Sequence, residues 1–448
     1  MFPTPMRRFL LALAFVASPA LAQDLLTVYR DAKGHDAPYA SARNALQAGL
    51  EKLPQGRALL LPTLGLSANA TSNRIDVYTR NATTAPTLRD LHSYGYSLSF
   101  SQPIYRPQNL LQYSQSEYQV KQAEASFGQA AQDLIVRTAQ AYFDVLTAQD
   151  SLALVKAQKA AIGEQLAQAK RNFEVGTATI TDTHEAQARY DLVVAQEIVN
   201  ENAVETQLRA LQQITGKRHR SGSLATIRAG VKHEPPQPAD MQAWVDMAEK
   251  QGFPVLLQEA TTEIAALELK RNAAAHRPTV DLVGTLGTTS QTGSTVIATT
   301  SGSSIIDSSS LGLQLSIPLY SGGALNSRER EAAALYEKSK QDLENVRRSQ
   351  AFQARQNYLL VVNGISTVNA LAQAVVSSQS ALESNKLGYE VGVRINIDVL
   401  NAQQQVFSAA RDLSTARYTT VMNHLKLKAA AGSLREEDLE VVNRALGQ

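Results

Sequence analysis

The side chains that most often carry chemistry are thinly spread along these 448 residues. The histidines stand far apart, at His35, His92, His184, His219, His233, His276 and His424. None belongs to a His-Glu-x-x-His pair that would hold zinc. No Gly-x-Ser-x-Gly turn presents a nucleophilic serine, and no P-loop is present to cradle a phosphate. Gly216-Lys217 lacks both the upstream loop glycine and the following Ser or Thr, and Glu436-Glu437-Asp438 reads as a solvated tail. With no cysteine, the chain has no disulfide, iron–sulfur cluster, cysteine-held zinc or lipidated N-terminal Cys. Its 43 basic and 41 acidic side chains nearly balance, so bulk charge offers no reason to bind nucleic acid. The sequence predicts no enzyme, no cofactor and no structural metal.

The elements are more informative than any single site. Residues 1–22 read as a secretory signal peptide. Arg7 and Arg8 form its positive start, 9–17 its apolar stretch, and Ala20 and Ala22 the small residues before a cleavage ahead of Gln23. That apolar stretch is too short to cross a bilayer as a helix. No later run reaches about 18 consecutive apolar residues, so no membrane-spanning helix is expected.

One unit is written twice. Pro38 matches Pro254, Pro62 matches Pro278, Tyr142 matches Tyr358, Val175-Gly176 matches Val391-Gly392, Asp182 matches Asp398, and Gly216 matches Gly432. Every pair is separated by 216 residues. Within each unit a Pro-bounded segment rich in Ser, Thr and Gly precedes a long Pro-free segment rich in Ala, Gln, Leu and Glu.

The Pro-bounded segments, 62–103 and 278–318, each hold two runs of period two. Leu64, Leu66, Ala68 and Ala70 alternate with small polar residues, as do Tyr94, Tyr96, Leu98 and Phe100. Val280, Leu282 and Leu286 form the third run, and Leu311, Leu313, Leu315 and Ile317 the fourth. Period two gives a strand with one apolar and one polar face, and each run is close to the roughly 10 residues of a tilted membrane strand. The stretches 73–91 and 290–309 read as exposed hairpin loops. Four strands cannot cross a membrane alone, because an open sheet edge in hydrocarbon leaves backbone groups unpaired at a cost of several kcal/mol each, or roughly that. Closure must come from other copies. Two would give about 8 strands, filled by side chains, and three about 12, with room for a channel. A conduit would therefore be a trimer.

The Pro-free segments read as long helices. Residues 109–173 would reach roughly 100 Å at the helical rise, and 181–215 would form a second helix. Phe173-Glu174-Val175-Gly176 ends the first, and Tyr389-Glu390-Val391-Gly392 repeats the ending in the second unit, before a helix over 397–431. Their Ala- and Gln-rich composition suits helices wetted on two faces, as in a hollow cylinder. A solid periplasmic coiled coil is the alternative.

Ala141-Tyr142-Phe143-Asp144-Val145-Leu146, the segment 173–182, Leu211-Gln212-Gln213-Ile214-Thr215-Gly216, Ile317-Pro318-Leu319-Tyr320-Ser321-Gly322-Gly323 and Gly388-Tyr389-Glu390-Val391-Gly392-Val393-Arg394 with Asp398-Val399-Leu400 resemble the TolC family of outer-membrane ducts. The resemblance covers almost all of 23–448. It implies a mixed α and β membrane protein of two tandem repeats, a trimeric 12-stranded outer-membrane β-barrel (four strands per chain) continuous with a periplasmic α-helical barrel. Residues 62–103 and 278–318 would be the barrel hairpins, 104–216 and 319–432 the helical hairpins. Residues 23–61, 217–277 and 433–448 would form an equatorial belt. The resemblance implies a homotrimer in outer-membrane lipid of a Gram-negative cell. Its partners would be a periplasmic adaptor and an inner-membrane transporter, with proteins (type I secretion) or small molecules (efflux) as cargo.

It also implies the site residues. Thr181 and Asp182 on one hairpin tip, with Tyr389 and Arg394 on the other, match links that close the periplasmic end. Asp398 matches one acidic ring at the aperture, where divalent-cation block is expected. The next ring position is Asn401, a departure that predicts weaker cation binding than two carboxylate rings would give. A soluble periplasmic coiled-coil adaptor is the rival reading; it would lack paired bilayer-length strands.

Overall fold

The computed structural model describes residues 23–77, 87–227, 234–293 and 302–446; the expected signal peptide lies outside them. The elements run α1 (Leu25–His35), α2 (Ala37–Leu50), α3 (Lys52–Ala58), β1 (Thr63–Val77), β2 (Thr87–Tyr105), α4 (Pro107–Glu174), α5 (Ile180–Thr215), α6 (Met241–Gln251), α7 (Phe253–Ala274), β3 (Thr279–Gly293), β4 (Gly302–Ser316), α8 (Ala324–Glu390), α9 (Asn396–Ala430) and α10 (Glu436–Ala445). The duplication is visible in this order. The start α1 answers to α6, α2 with α3 to α7, one β-hairpin to the other, and α4–α5 to α8–α9. Pro38 and Pro254 lie in the first turns of α2 and α7, where a missing N–H costs nothing. They begin helices, so much of the segments expected as a belt is helical: α2 and α3 pack along α4, and α7 lies between α4 and α8. The α4 helix has 68 residues, or about 100 Å.

The four strands form one antiparallel sheet in the order β1-β2-β3-β4. Register carries the sequence alternation across the sheet. Leu66 pairs with Leu98, Leu98 with Leu286, Leu64 with Phe100, and Leu282 with Leu313, so the large apolar side chains share one face. The other face is mostly small and polar residues, with Ser67 bonded to Ser97 at 2.8 Å and Thr285 to Ser310 at 2.7 Å. The apolar face is bare: Leu66 is 76% exposed and Leu311 75%. The outer edges of β1 and β4 have no strand beside them among the described residues.

Two expectations about the strands are corrected. The described ends of the stretches 73–91 and 290–309 are strand, since β1 runs on to Val77, β2 starts at Thr87, β3 ends at Gly293 and β4 starts at Gly302, while 78–86 and 294–301 lie outside the described residues. The apolar alternation reports only where one face meets an apolar medium. Beyond that, backbone pairing and cross-strand bonds such as Arg74–Asp90 at 2.9 Å and Thr288–Asp307 at 2.7 Å continue the ladder without it. Nor does Pro103 end β2, which passes it with a register shift and stops at Tyr105. At that end Arg106 donates from Nε and Nη2 to both carboxylate oxygens of buried Asp281, at 2.8 and 2.7 Å, tying the start of α4 to β3.

A third correction concerns α8. It is long and apolar enough to cross a membrane. The charge-free run 356–382 escapes a search for consecutive apolar residues because Asn363, Ser366, Asn369 and Gln373 interrupt it. It sits inside a helix with charged residues on both flanks, and Phe352, Leu359, Leu360 and Val376 on this helix are exposed.

The main core lies midway along α4. Leu134, Tyr142, Phe143 and Leu146 of α4 meet Leu25 and Val28 of α1, Leu211 of α5, and Tyr418 and Met422 of α9. Tyr142 is fully buried and its hydroxyl donates to the Ala225 carbonyl at 2.7 Å; burial, with Asp24 nearby, pushes the phenol up. Its repeat mate Tyr358 donates likewise to the Ala239 carbonyl. A smaller apolar seam of Ile162, Leu166 and Ala169 (α4), Ala186 and Val193 (α5) and Leu400 (α9) runs toward the hairpin tips.

Candidate functional site

The residues singled out from the sequence all fall at the two hairpin tips or just above them. Each tip turns through a glycine with positive φ, Gly176 at 79° and Gly392 at 78°, a conformation that a Cβ would strain. Each turn folds its backbone alike: the Thr177 N–H donates to the Asn172 carbonyl at 2.8 Å, and the Val393 N–H to that of Gly388 at 2.8 Å.

Past the glycines the tips diverge. At the start of α5, Thr179 and Asp182 form a capping box. The Asp182 N–H donates to Thr179 Oγ1 at 3.3 Å, and the Thr179 N–H donates to Asp182 Oδ2 at 3.0 Å. At the start of α9 the corresponding residue is Ile395, which offers no cap. The next residue, Asn396, is fully buried and reaches into the first hairpin instead. Its Oδ1 accepts from Gln165 Nε2 at 2.6 Å, and its Nδ2 donates to the Asp182 carbonyl at 3.2 Å.

Within one chain the expected gate residues are therefore engaged as follows. Asp182 caps its own helix. Tyr389 accepts a bond from Asn172 Nδ2 at 3.2 Å. Arg394 faces Asp398 one turn along α9, at 3.7 Å. Thr181 is exposed on the outer turn. No bond inside the chain joins the Asp182 carboxylate to Tyr389 or Arg394 among the described residues. Asn401, expected to line the aperture, accepts from Arg189 Nη2 at 3.1 Å, while Arg189 Nη1 donates to Gln404 Oε1 at 2.8 Å. Arg189 also borders a cleft of about 140 Å³ between α4, α5 and α9, walled by Leu154, Val155, Leu192 and Phe407. Among the described residues no group of three or more His, Cys, Asp or Glu is placed to hold a metal, so any cation site at Asp398 would need carboxylates from other copies.

Sequence reasoning missed Gln165, Asn172, Arg189 and Asn396. One of them left a trace in the duplication. Thr179-Ile180 in the first unit stands opposite Ile395-Asn396 in the second, so polar and apolar residues have changed places.

Comparison with known proteins accounts for this architecture. The model of the outer membrane efflux protein family matches residues 28–217 and 255–433. The chain is 34% identical over 435 residues to the outer membrane protein TolC of Vibrio cholerae serotype O1, covering 97% of this chain and 96% of that one. It is 32% identical to the alkaline protease secretion protein AprF of Pseudomonas aeruginosa, covering 96% and 89%. The fold is that of the outer membrane protein VceC of Vibrio cholerae, with a TM-score of 0.75 at 18% identity over 91% of this chain and 96% of that one. The duplicated hairpins, the four-stranded sheet and the long paired helices thus have one explanation: this chain belongs to the outer membrane efflux protein family and is a protein of the outer membrane that extends into the periplasm.

Proposed function

We propose that three copies of the chain form an outer-membrane exit duct, a barrel of about 12 strands continued by a hollow helical barrel in the periplasm. One observation carries the reading: a four-stranded sheet with two open edges and a bare apolar face. Unpaired strand edges in hydrocarbon are too costly to persist, so neighbouring copies must pair them. The exposed apolar side chains of α8 need covering as well, and a neighbouring helical hairpin would cover them.

The duct does no chemistry of its own. A periplasmic adaptor and an inner-membrane transporter would deliver cargo to its lower end. The likeness to a protein named for protease secretion supports type I secretion, with efflux as a shared use. Thr181, Asp182, Tyr389 and Arg394 would close the lower mouth between protomers. Arg394 is well exposed in the single chain, and a neighbour's carboxylate would be a stronger partner than Asp398 at 3.7 Å. Three Asp398 side chains would form a cation-attracting ring, with Asn401 above it.

Crosslinking of the detergent-solubilised protein, followed by planar-bilayer recording, tests the reading. A trimer that conducts is expected, retained with outer membranes after a salt wash. Material that runs only as a monomer and never conducts would overturn it. Deleting the gene, then assaying secreted proteins and drug sensitivity together, would distinguish the two cargo classes.

A further inference from the structure

His219, just past the end of α5, is buried with both ring nitrogens engaged. Its Nε2 lies 2.9 Å from Thr215 Oγ1 and its Nδ1 2.6 Å from Gln23 Oε1. An amide oxygen only accepts, so Nδ1 carries the proton and Nε2 accepts from the Thr215 hydroxyl. Burial pushes the imidazole down, which favours this neutral form. The backbone of Gln23 is held as well. Its nitrogen donates to the Ser223 carbonyl at 2.7 Å, and its carbonyl accepts from the Ala225 N–H at 3.1 Å. The fold does not require this arrangement, because the second unit has Ala239, Ala431 and Arg435 where the first has Gln23, Thr215 and His219. What sets Gln23 apart is the leader reading, in which cleavage ahead of it makes it the first residue of the mature chain.

We infer that His219, Thr215 and Ser223 form a socket for a free N-terminal glutamine and preserve it from cyclisation. A terminal glutamine is reactive. The lone pair of its amine attacks the side-chain Cδ, a C–N bond forms, the Cδ–Nε2 bond breaks, and one amine proton leaves with Nε2 as ammonia. The product is a five-membered lactam. Closing that ring brings Cδ from van der Waals contact, beyond about 3 Å, to about 1.3 Å from the nitrogen. The nitrogen and carbonyl of Gln23 are pinned on 223–225, so Cδ has to make most of that move. Oε1 cannot travel with it and stay on buried His219, whose ring is itself held by Thr215. The Ser223 carbonyl opposes the step in a second way. It favours the protonated amine, which has no lone pair with which to attack. The inference rests on cleavage ahead of Gln23 and goes beyond the duct reading, on which it does not depend.

A time course on the mature protein, extracted from outer membranes in detergent and kept warm at neutral pH, tests this. At intervals the protein is unfolded, its free amines are blocked at once with a mass label, and the tryptic peptide Gln23–Arg30 is weighed. An open glutamine takes the label; a cyclised one has lost ammonia and cannot. The folded parent is expected to cyclise at least about tenfold more slowly than the same chain held unfolded in guanidinium chloride. His219→Leu, which keeps the Ser223 and Ala225 bonds but frees the side chain, should recover most of the unfolded rate. His219→Asn should recover less, because its Nδ2 restores a donor. Thr215→Val, which loosens only the imidazole, should give a smaller rise, and it carries the test if the His219 variants do not assemble. A folded parent that cyclises as fast as the unfolded chain, or that leaves the membrane already cyclised, would overturn the socket. So would parental rates in both His219→Leu and Thr215→Val. A mature terminus other than Gln23 would overturn it together with the leader reading.

Discussion

The two helical hairpins of this chain descend from one unit, yet they begin their helices differently. In the first unit α2 is capped by Asp36, whose carboxylate accepts from the Tyr39 N–H at 2.9 Å, and α5 by the Thr179–Asp182 box. At the matching places the second unit has Gly252 before α7 and Ile395 before α9, and neither supplies a side-chain cap. A side-chain cap is worth about 1 kcal/mol, and it makes a helix end self-sufficient. The start of α5 is thus held by its own side chains, whereas at the start of α9 the side chain of Asn396 bonds to the first hairpin.

The largest effect should follow from removing that difference. Asp182→Ala takes away the first tip's cap, and with Arg394→Ser it also removes the charges proposed to close the mouth between protomers. Resting conductance in planar bilayers is expected to rise by well over tenfold. Unaltered conductance would remove both residues from the gate.

A middle-sized effect separates the upper helix starts by pH. Burial by itself would raise the Asp36 carboxyl, but the bonds from Arg137, at 2.9 and 3.1 Å, and from the Tyr39 N–H hold it below the usual value. A carboxyl lowered on folding contributes stability above its unfolded value, near 3.8, and loses it as pH falls through the lower folded value. The loss is expected to be about 1–2 kcal/mol, because Arg137 is partly solvated. Protection of the amides at the start of α2 against hydrogen exchange, taken relative to the intrinsic rate at each pH, should therefore fall in acid, while that at the start of α7, which has Gly252 there, changes less. Asp36→Asn should abolish the contrast. Equal acid sensitivity at both helices would refute it.

The smallest effect concerns the aperture. Asp398→Ala is expected to lower cation selectivity and divalent block by about two- to threefold, and Asn401→Ala to change neither by a comparable amount. Reversal potentials under a salt gradient measure both. If Asp398→Ala leaves them unchanged, the carboxylate does not face the pathway.

Much of the fold was legible because it depends on periodicity and repetition. The alternation of Leu64, Leu66, Leu98 and Phe100 gave the apolar face, and Val175-Gly176 with Val391-Gly392 gave both tips. What escaped was set by other forces. Strand continuing to Val77 is held by backbone pairing and by Arg74–Asp90, which leave no apolar pattern. The Asn396 contact joins residues 231 positions apart, and nothing local marks a single Asn as buried. Only its exchange with Ile180 across the duplication offered a clue.

The central core has a mechanical consequence. It grips α4 around Leu134 to Leu146, leaving the rest of the helix, to Glu174, as an arm of roughly 40 Å below the fulcrum. A tilt of only about 5° at the fulcrum would carry the far end some 3–4 Å sideways, roughly the length of a hydrogen bond. A few amide and guanidinium contacts near the end of such a lever have great leverage over its swing, whereas the same contacts beside the fulcrum would have almost none.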